Sequence, residues 1–283
     1  MTDNETKLST GAETTWCPGC YNFMLLNSVK SAIKGVMKEE DIGQEKFAMA
    51  AGIGCHGKMF DYLNVGGVYS LHGRTIPTCV GMKLANPNLK VLGFGGDGDT
   101  YAEGISHFIH AARYNVDMTM IVHNNQVFAL TTGQGTPTSE KGYKSKAQPH
   151  GVIHQPLNPL KMAIDAGATF VARAYPKNME QTEEILKKAI EHNGFSLVDV
   201  VLPCVAYHKD REFLEENMYN LEGHDETDKK AAWEKASEWD YNLEDEKIPV
   251  GILYRKEKKT LEDKFPQLQE LQKKSKGWFQ VDR

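Results

Sequence analysis

The residues best suited to chemistry are the cysteines, which lie at Cys17, Cys20, Cys55, Cys79 and Cys204. The first two form a Cys-x-x-Cys pair whose Pro-Gly centre favours a turn that brings both thiolates to one side. A redox dithiol of this kind normally follows a strand, but only a polar stretch precedes this pair. The pair is therefore better suited to a metal centre.

A four-ligand site needs two more donors, and Cys55 and Cys204 are the candidates. Each follows an apolar run that predicts a buried strand, at 46–53 and 195–202. In a parallel sheet both thiols would reach the carboxyl edge, where α/β proteins build their sites. All-cysteine ligation suits zinc or an iron–sulfur cluster. One pair with two distant single cysteines is less typical of zinc, but spacing alone leaves both open.

A glycine-rich acidic run at 93–98 (GFGGDG) follows a predicted strand and fits the pattern G-x-G-x-x-G. This pattern alone suggests a dinucleotide-binding loop. Asp97 and Asp99, however, would put negative charge where a pyrophosphate binds a helix N-terminus. The following strand also ends in His-Asn-Asn instead of the acidic residue that would bind a ribose.

The same residues suit a magnesium ion. Asp97 offers a carboxylate and Asn125 an amide oxygen, and Mg²⁺ prefers such oxygen ligands together with phosphates. Asn125 lies 28 positions after Asp97, which is enough for one helix and a return along a neighbouring parallel strand. Both side chains should then arrive at one edge, about one strand spacing apart. The alternative is that each is only a polar loop residue.

The elements that must position these residues alternate along the chain. Helices are predicted at 21–38, 76–84, 103–114, 160–166 and 179–190, and strands at 46–53, 90–94, 117–123, 169–172 and 195–202. This alternation indicates an α/β fold with a mainly parallel sheet and helices on both faces. Residues 131–155 are predicted to form a long loop, of a length that is usually either functional or disordered. We divide the chain into a core at 1–208 and a charged C-terminal extension at 209–283, packed on the core or on a partner.

Composition narrows the class of protein. The chain has 283 residues and a net charge of −5, which gives no general attraction to nucleic acid or anionic membranes. No apolar run approaches the roughly 20 residues of a membrane helix. The N-terminal stretch lacks the apolar segment of a signal peptide, so a cytoplasmic location is expected.

Seven short motifs, taken in order, resemble one enzyme family. They are WCPGC at 16–20, GIGC at 52–55, LHGR at 71–74, KLANP at 83–87, GGDGD at 95–99, HFIHAARYN at 107–115 and LTTGQ at 130–134. Together they are similar to the β subunit of 2-oxoacid:ferredoxin oxidoreductases, over about residues 12–210. The forms of GIGC and LTTGQ look more like the 2-oxoglutarate or broad-specificity branch than the pyruvate branch.

The resemblance implies a thiamine-diphosphate-binding fold and a specific set of site residues. One [4Fe–4S] cluster would be bound by Cys17, Cys20, Cys55 and Cys204. Magnesium would be bound by Asp97, Asn125 and the backbone oxygen of Val127. Thiamine diphosphate would contact Ile53, Gly54, Cys55, His56, His72, Gly98, Asp99 and Leu130, with Thr131 and Thr132 near the substrate.

The implied reaction is oxidative decarboxylation of a 2-oxoacid, in which coenzyme A takes the acyl group and ferredoxin takes the electrons. A partner α subunit is expected to supply the rest of the site. Tyr21, His56, Phe128, Ala129 and Thr132 depart from residues common in the family, which puts substrate preference in question but not the cofactors. Two other functions fit the motifs less well. They are a non-redox thiamine enzyme with a structural zinc, and a zinc-binding interaction module without catalysis.

Overall fold

The secondary structure follows the alternating pattern expected from the sequence. The computed structural model describes residues 8–208, 211–243, 247–274 and 278–281. Its strands are β1 Phe47–Ala51, β2 Gly66–Tyr69, β3 Lys90–Gly96, β4 Met118–Asn124, β5 Val127–Phe128, β6 Gln134–Gly135, β7 Phe170–Ala174, β8 Phe195–Val201, β9 Met218–Asn220 and β10 Ile248–Arg255. Its α-helices are α1 Asn22–Glu40, α2 Met59–Tyr62, α3 Thr75–Ala85, α4 Ile105–Tyr114, α5 Pro159–Ala166, α6 Met179–Glu191, α7 Arg211–Asn217, α8 Lys229–Ala236 and α9 Pro266–Lys274.

One sheet, in the order β2-β1-β3-β4-β8-β7-β10-β9, organises the part of the chain that the structure describes. Strands β2, β1, β3, β4, β8 and β7 are mutually parallel, so their carboxyl ends meet along one edge. In register, Gly96 of β3 lies beside His123 of β4, and Asn124 beside Val201 of β8. The loops that follow these strands are therefore neighbours.

Helices cover both faces of the sheet, as the sequence predicts. Side chains of α1 and α6 pack in one core with Leu92 and Phe94 of β3, while α3, α4, α5 and α8 pack in a second core with Val91. Adjacent strand residues point to opposite faces, which is why one strand serves both cores. Asn158 and Asn178 cap α5 and α6 by accepting backbone hydrogen bonds.

The charged segment after residue 208 contributes strands that the sequence did not predict. β10 pairs antiparallel with β7 and parallel with the short strand β9. Proline usually interrupts a strand, but the ladder partner of Pro249 is in β9, and pairing with β7 begins only at Gly251. A proline is tolerated where its missing N–H is not needed. The division of the chain at residue 208 stays a prediction.

Within the described residues, none of the helices has the length and apolar character needed to cross a bilayer.

Candidate active site

A cavity of about 390 Å³ opens at the carboxyl edge of the sheet. Of the predicted site residues, it is lined by Cys17, Cys20, Ile53, Gly54, Cys55, His56, His72, Asp97, Gly98, Asp99, Asn125, Val127, Leu130, Thr131 and Cys204. Thr132 is the one predicted site residue outside this lining; it is exposed and has a positive φ of 79°. The sheet thus brings the acidic loop and the cysteines to one site.

Asp97 and Asn125 meet at the ends of β3 and β4, as their spacing predicts. The backbone N–H of Asn125 donates to Asp97 Oδ1 at 3.4 Å, and Asn125 Oδ1 accepts from Val127 N at 3.1 Å. Asp97 is 1% exposed, and Thr138 Oγ1 lies 2.9 Å from its Oδ2. Burial raises the pKa of Asp97 to about 6, although hydrogen bonds from Thr136 and Thr138 oppose the shift. A nearby cation would favour the charged form.

Gln126 fixes the turn that carries Asn125. Its φ of 56° is in the left-handed region, which non-glycine residues adopt only when the surroundings hold them there. The buried side-chain amide donates to the carbonyls of Thr138, at 2.6 Å, and Tyr241, at 2.9 Å. Ser139 donates to the Gln126 carbonyl. The long loop and the C-terminal segment therefore both hold this turn.

A buried carboxylate, Asp199 of β8, holds the other side of the same turn. It accepts from Asn124 Nδ2 at 3.1 Å, from the Tyr101 hydroxyl at 2.7 Å and from the Tyr241 hydroxyl at 3.1 Å. Burial raises the pKa of Asp199, while the Tyr101 hydroxyl and the charge of Arg173 oppose the shift. The sequence contained a signal for it, since an acidic residue interrupts an apolar strand.

Arg173 supplies the compensating charge and is itself fully buried. Its guanidinium carbon lies 4.9 Å from the ring centroid of Trp239 and 5.5 Å from that of Tyr241, and Nη1 donates to the Pro249 carbonyl at 3.1 Å. These three partners come from the C-terminal segment. That segment is therefore part of the support of the site.

Asp99 anchors two histidines at the cavity wall. Its Oδ1 accepts from Gly73 N at 2.7 Å and lies 3.5 Å from His72 Nδ1, while its Oδ2 lies 3.6 Å from His56 Nε2. Burial alone would raise the pKa of Asp99. The nearby His56 imidazole, with the Gly73 N–H and the charge of His72, outweighs the effect of burial and holds the pKa of Asp99 below its ordinary value.

The backbone after Asp97 differs from the helix predicted to begin at residue 103. A π-helical turn spans Asp99–Glu103 and leads through Gly104 into α4. π-turns are frequent at functional sites, and here the turn places Asp99 under the cavity. Gly98 is required at its position because a Cβ there would collide with the Phe128 ring.

The cysteine end of the cavity collects four thiols from three loops. Cys17 is exposed, and Cys20, Cys55 and Cys204 are half-buried. Burial, together with the charges of Cys20 and Cys204, raises the pKa of Cys55 to about 11. Burial likewise raises the pKa of Cys20, despite hydrogen bonds from Asn22. The four thiols therefore interact electrostatically, and each is free of a disulfide.

Local contacts explain how these loops hold their shape. Gly19 has a φ of 78°, which suits glycine, and the Cys20 N–H donates to the Cys17 carbonyl at 3.0 Å. Trp16 Nε1 donates to the Cys55 carbonyl at 2.8 Å and so joins the first loop to the second. In the described ranges, no group of three or more His, Cys, Asp or Glu side chains has an arrangement ready to hold a metal ion.

His123 and Asn22 belong to the site but were not predicted. Both are buried and line the cavity, with His123 Nδ1 lying 2.6 Å from Asn22 Oδ1. Within the described chain, His56 Nε2, His72 Nδ1 and His123 Nε2 are buried without a hydrogen-bond partner. Three such nitrogens on one cavity fit the binding of a polar ligand. A histidine at the end of an apolar strand was the available signal.

Comparison with known proteins defines the class first. Residues 41–200 match the family model described as thiamine pyrophosphate enzyme, C-terminal TPP binding domain. Residues 204–270 match the family model for the C-terminal part of the pyruvate ferredoxin oxidoreductase beta chain. With the parallel sheet and the acidic site at its carboxyl edge, the first match makes the protein a thiamine-diphosphate-dependent enzyme.

Individual relatives define the family. The 2-oxoacid:ferredoxin oxidoreductase subunit beta of Saccharolobus solfataricus is 40% identical over 258 residues, covering 86% of this chain and 82% of the relative. The 2-oxoglutarate synthase subunit KorB of Archaeoglobus fulgidus is 40% identical over 196 residues, or 69% and 72% of the two chains. A solved 2-oxoglutarate:ferredoxin oxidoreductase from Magnetococcus marinus, with 2-oxoglutarate, coenzyme A and succinyl-CoA bound, superposes with a TM-score of 0.86 at 34% identity, covering 97% of this chain and 91% of the other.

The chain therefore belongs to the β subunits of the 2-oxoacid:ferredoxin oxidoreductases, which are enzymes that work with an α subunit. The resemblance seen in the sequence motifs is confirmed, and so is the predicted fold class.

Proposed function

We propose that this subunit, with its α partner, catalyses oxidative decarboxylation of a 2-oxoacid with coenzyme A to give an acyl-CoA and CO₂. Electrons pass through one [4Fe–4S] cluster to ferredoxin, and the reaction can also run in reverse. One observation carries the proposal: a single cavity is lined both by the acidic Asp97 loop and by four cysteines. Electron transfer requires such closeness between the cofactor and the acceptor.

Magnesium and the diphosphate are assigned to the buried end of this cavity. Asp97, Asn125 and the Val127 carbonyl would bind Mg²⁺, which prefers oxygen ligands and often bridges a carboxylate to phosphates. The cation would offset the cost of a charged carboxylate that is 1% exposed. Thiamine diphosphate would contact the cavity residues Ile53, Gly54, Cys55, His56, His72, Gly98, Asp99 and Leu130.

The chemistry of the cofactor needs little from this chain beyond position and proton control. Bound thiamine diphosphate supplies the electron sink for the substrate carbons during decarboxylation. The Asp99 carboxylate lies within 3.6 Å of a ring nitrogen of His56 and of a ring nitrogen of His72. It therefore orients both imidazole rings at the cavity wall. The two acidic residues of this loop therefore have different proposed roles: Asp97 would bind the cation, and Asp99 orients the two histidines.

The [4Fe–4S] cluster is assigned to Cys17, Cys20, Cys55 and Cys204. Four reduced thiols that influence one another across one cavity are a suitable donor set. Because burial raises the pKa values of Cys20 and Cys55, these thiols should lose protons when the cluster assembles. A thiolate-bound cluster also suits a reducing compartment, and we assign the enzyme to the cytoplasm.

The proposed substrate is 2-oxoglutarate, with pyruvate as the second candidate. Relatives named for 2-oxoglutarate support the preference. Leu130 and Thr131 line the cavity mouth and are proposed to lie near the substrate, with Thr132 next to them.

The test uses the αβ complex purified without oxygen. Reduction of ferredoxin is followed with coenzyme A and either 2-oxoglutarate or pyruvate, and acyl-CoA is quantified in the same samples. We expect both products with either acid, and a higher kcat/KM for 2-oxoglutarate. Strong selectivity for pyruvate would overturn the substrate assignment. A complex that forms neither acyl-CoA nor reduced ferredoxin with either acid would overturn the reaction.

A further inference from the structure

Asn22 connects the cysteine end of the cavity to β4 through its side-chain amide. Its Nδ2 donates to Cys20 Sγ at 3.4 Å, and its Oδ1 lies 2.6 Å from His123 Nδ1. Asn22 is 5% exposed and His123 is 3% exposed, so neither contact competes with bulk water. The backbone N–H of Asn22 also donates a hydrogen bond to the Cys20 sulfur.

The chemistry of the two contacts fixes which way the amide faces. A cysteine sulfur bound to iron can only accept, so the amide N–H must point at Cys20. The amide oxygen then faces His123, and Nδ1 of the imidazole must carry the proton that it donates. The His123 ring therefore determines the orientation of the donor that Cys20 receives.

The side chain of Asn22 is not used for ordinary helix capping. It lies at the first residue of α1, and the capping position before it, Tyr21, makes no side-chain capping bond. Its hydrogen bonds in the described structure go instead to Cys20 and His123. His123 is held in turn by its position in β4 and by the Phe94 ring, whose centroid is 6.1 Å away.

We propose that Asn22, oriented by His123, is a positioning residue that sets the reduction potential of the iron–sulfur cluster through its hydrogen bond to Cys20. The inference rests on the proposed function, since it requires a cluster at these cysteines. Reduction adds negative charge that spreads onto the thiolate sulfurs. A hydrogen-bond donor at one sulfur stabilises the reduced state more than the oxidised state, and hydrogen bonds to sulfur are a known control of cluster potential. Removing the donor should lower the potential.

The experiment is a redox titration of the αβ complex, purified without oxygen and followed by the electron paramagnetic resonance signal of the reduced cluster. Asn22→Leu keeps the size of the side chain but removes the donor. His123→Leu leaves the donor in place but frees its orientation. His123→Asn keeps an N–H close to the position of Nδ1. Asn27→Leu makes the same chemical change on the exposed face of α1 and is the matched control.

We expect a lower midpoint potential for Asn22→Leu, a smaller shift in the same direction for His123→Leu, and wild-type values for His123→Asn and Asn27→Leu. Iron and sulfide are measured first in every sample. Wild-type potentials in cluster-containing Asn22→Leu and His123→Leu would overturn this inference and leave the proposed function intact. If Asn22→Leu fails to hold a cluster, an unshifted His123→Leu overturns it. A wild-type protein without iron and sulfide would overturn the proposed function and the inference together.

Discussion

The two ends of the cavity are built in different ways. At the buried end, to which the diphosphate is assigned, Asp97, Asn124 and Asp199 are each no more than 2% exposed. Each of them makes hydrogen bonds to residues from distant parts of the chain. At the cysteine end, Cys17 is exposed and the other three thiols are half-buried. The first end is therefore ordered by the chain itself, whereas we expect the second to take its final order from the cluster.

This difference has a physical basis in the two ligand chemistries. A magnesium ion binds a few oxygens and keeps part of its water, so the protein must hold a precise pocket in advance. Metal binding by thiolates is strong enough to organise the chain around it. A change confined to one end should therefore leave the other end intact.

The largest effect is expected for Cys204→Ser. The loss of one of four proposed ligands should prevent stable cluster assembly and lower ferredoxin reduction by more than about 100-fold, beyond the usual cost of losing an outer-shell partner. Thiamine diphosphate binding should change little, since Asp97 and Asn125 are untouched. The iron content measures cluster assembly at the cysteine end, and calorimetric titration with thiamine diphosphate measures binding at the other end. The buried Cys79→Ser is a control, because Cys79 lies in α3 away from the cavity lining. An intact cluster in Cys204→Ser would contradict the assignment.

Asp97→Asn should weaken cofactor binding and leave the cluster in place, which is the opposite of the result expected for Cys204→Ser. The amide preserves the size of the side chain but removes the charge that would bind Mg²⁺, so cofactor affinity in the presence of magnesium should fall by about 10- to 100-fold. The iron content should stay at the wild-type value. Equilibrium titration with thiamine diphosphate checks the affinity. Asp41→Asn, at an exposed carboxylate outside the cavity, is the matched control. Equal affinity in Asp97→Asn and the wild type would refute the magnesium role.

Removal of the buried Asp199 carboxylate should lower the stability of the protein at the buried end of the cavity. Asp199→Ala removes the negative charge that acts on the buried Arg173 and deprives two tyrosine hydroxyls of their acceptor. The free energy of unfolding should fall by about 3–5 kcal/mol, because the change leaves an uncompensated buried charge. Denaturant unfolding of the αβ complex measures it. Asp199→Asn, which keeps an acceptor oxygen, should lose less. Equal losses in the two variants would mean that the acceptor oxygen adds nothing beyond the charge, which both variants lack. Wild-type stability in Asp199→Ala would contradict the supporting role of Asp199.

Tyr241→Phe should give the smallest effect. It removes one hydroxyl that donates to Asp199 at 3.1 Å but keeps the ring stacked on Trp239 at 4.3 Å. The expected loss of stability is about 1 kcal/mol, the usual worth of one hydrogen bond. Tyr114→Phe, at an exposed tyrosine, should lose almost nothing. Thermal unfolding compares the two variants. A loss several times larger in Tyr241→Phe would mean that its hydroxyl supports more than one bond.

The sequence predicted the parts of this site that lie next to strand ends. Asp97 and Asn125 could be paired because one helix separates two neighbouring parallel strands, and this adjacency follows from topology alone. Cys55 and Cys204 could be placed at the same edge for the same reason. Short-range motifs and strand order therefore account for the position of the predicted ligands.

The support of the site could not be predicted in this way. Thr138, Gln126 and Tyr241 reach the turn from a long loop and from the charged C-terminal segment. Their contacts depend on long-range packing, which leaves no period or spacing in the sequence. β10 was missed because a proline near its start is unusual in a strand, whereas Pro249 lies outside the ladder with β7. The amide bridge of Asn22 was missed because a lone asparagine after a cysteine pair is usually a capping or turn residue.

The most direct test of the proposed cluster is the amount of iron and acid-labile sulfide per chain in protein purified without oxygen. We expect about four of each, as one four-cysteine cluster requires. Zinc in place of iron, with no sulfide in a strictly anaerobic preparation, would contradict the electron-transfer function. The protein would then be a thiamine enzyme with a structural metal at its cysteine end.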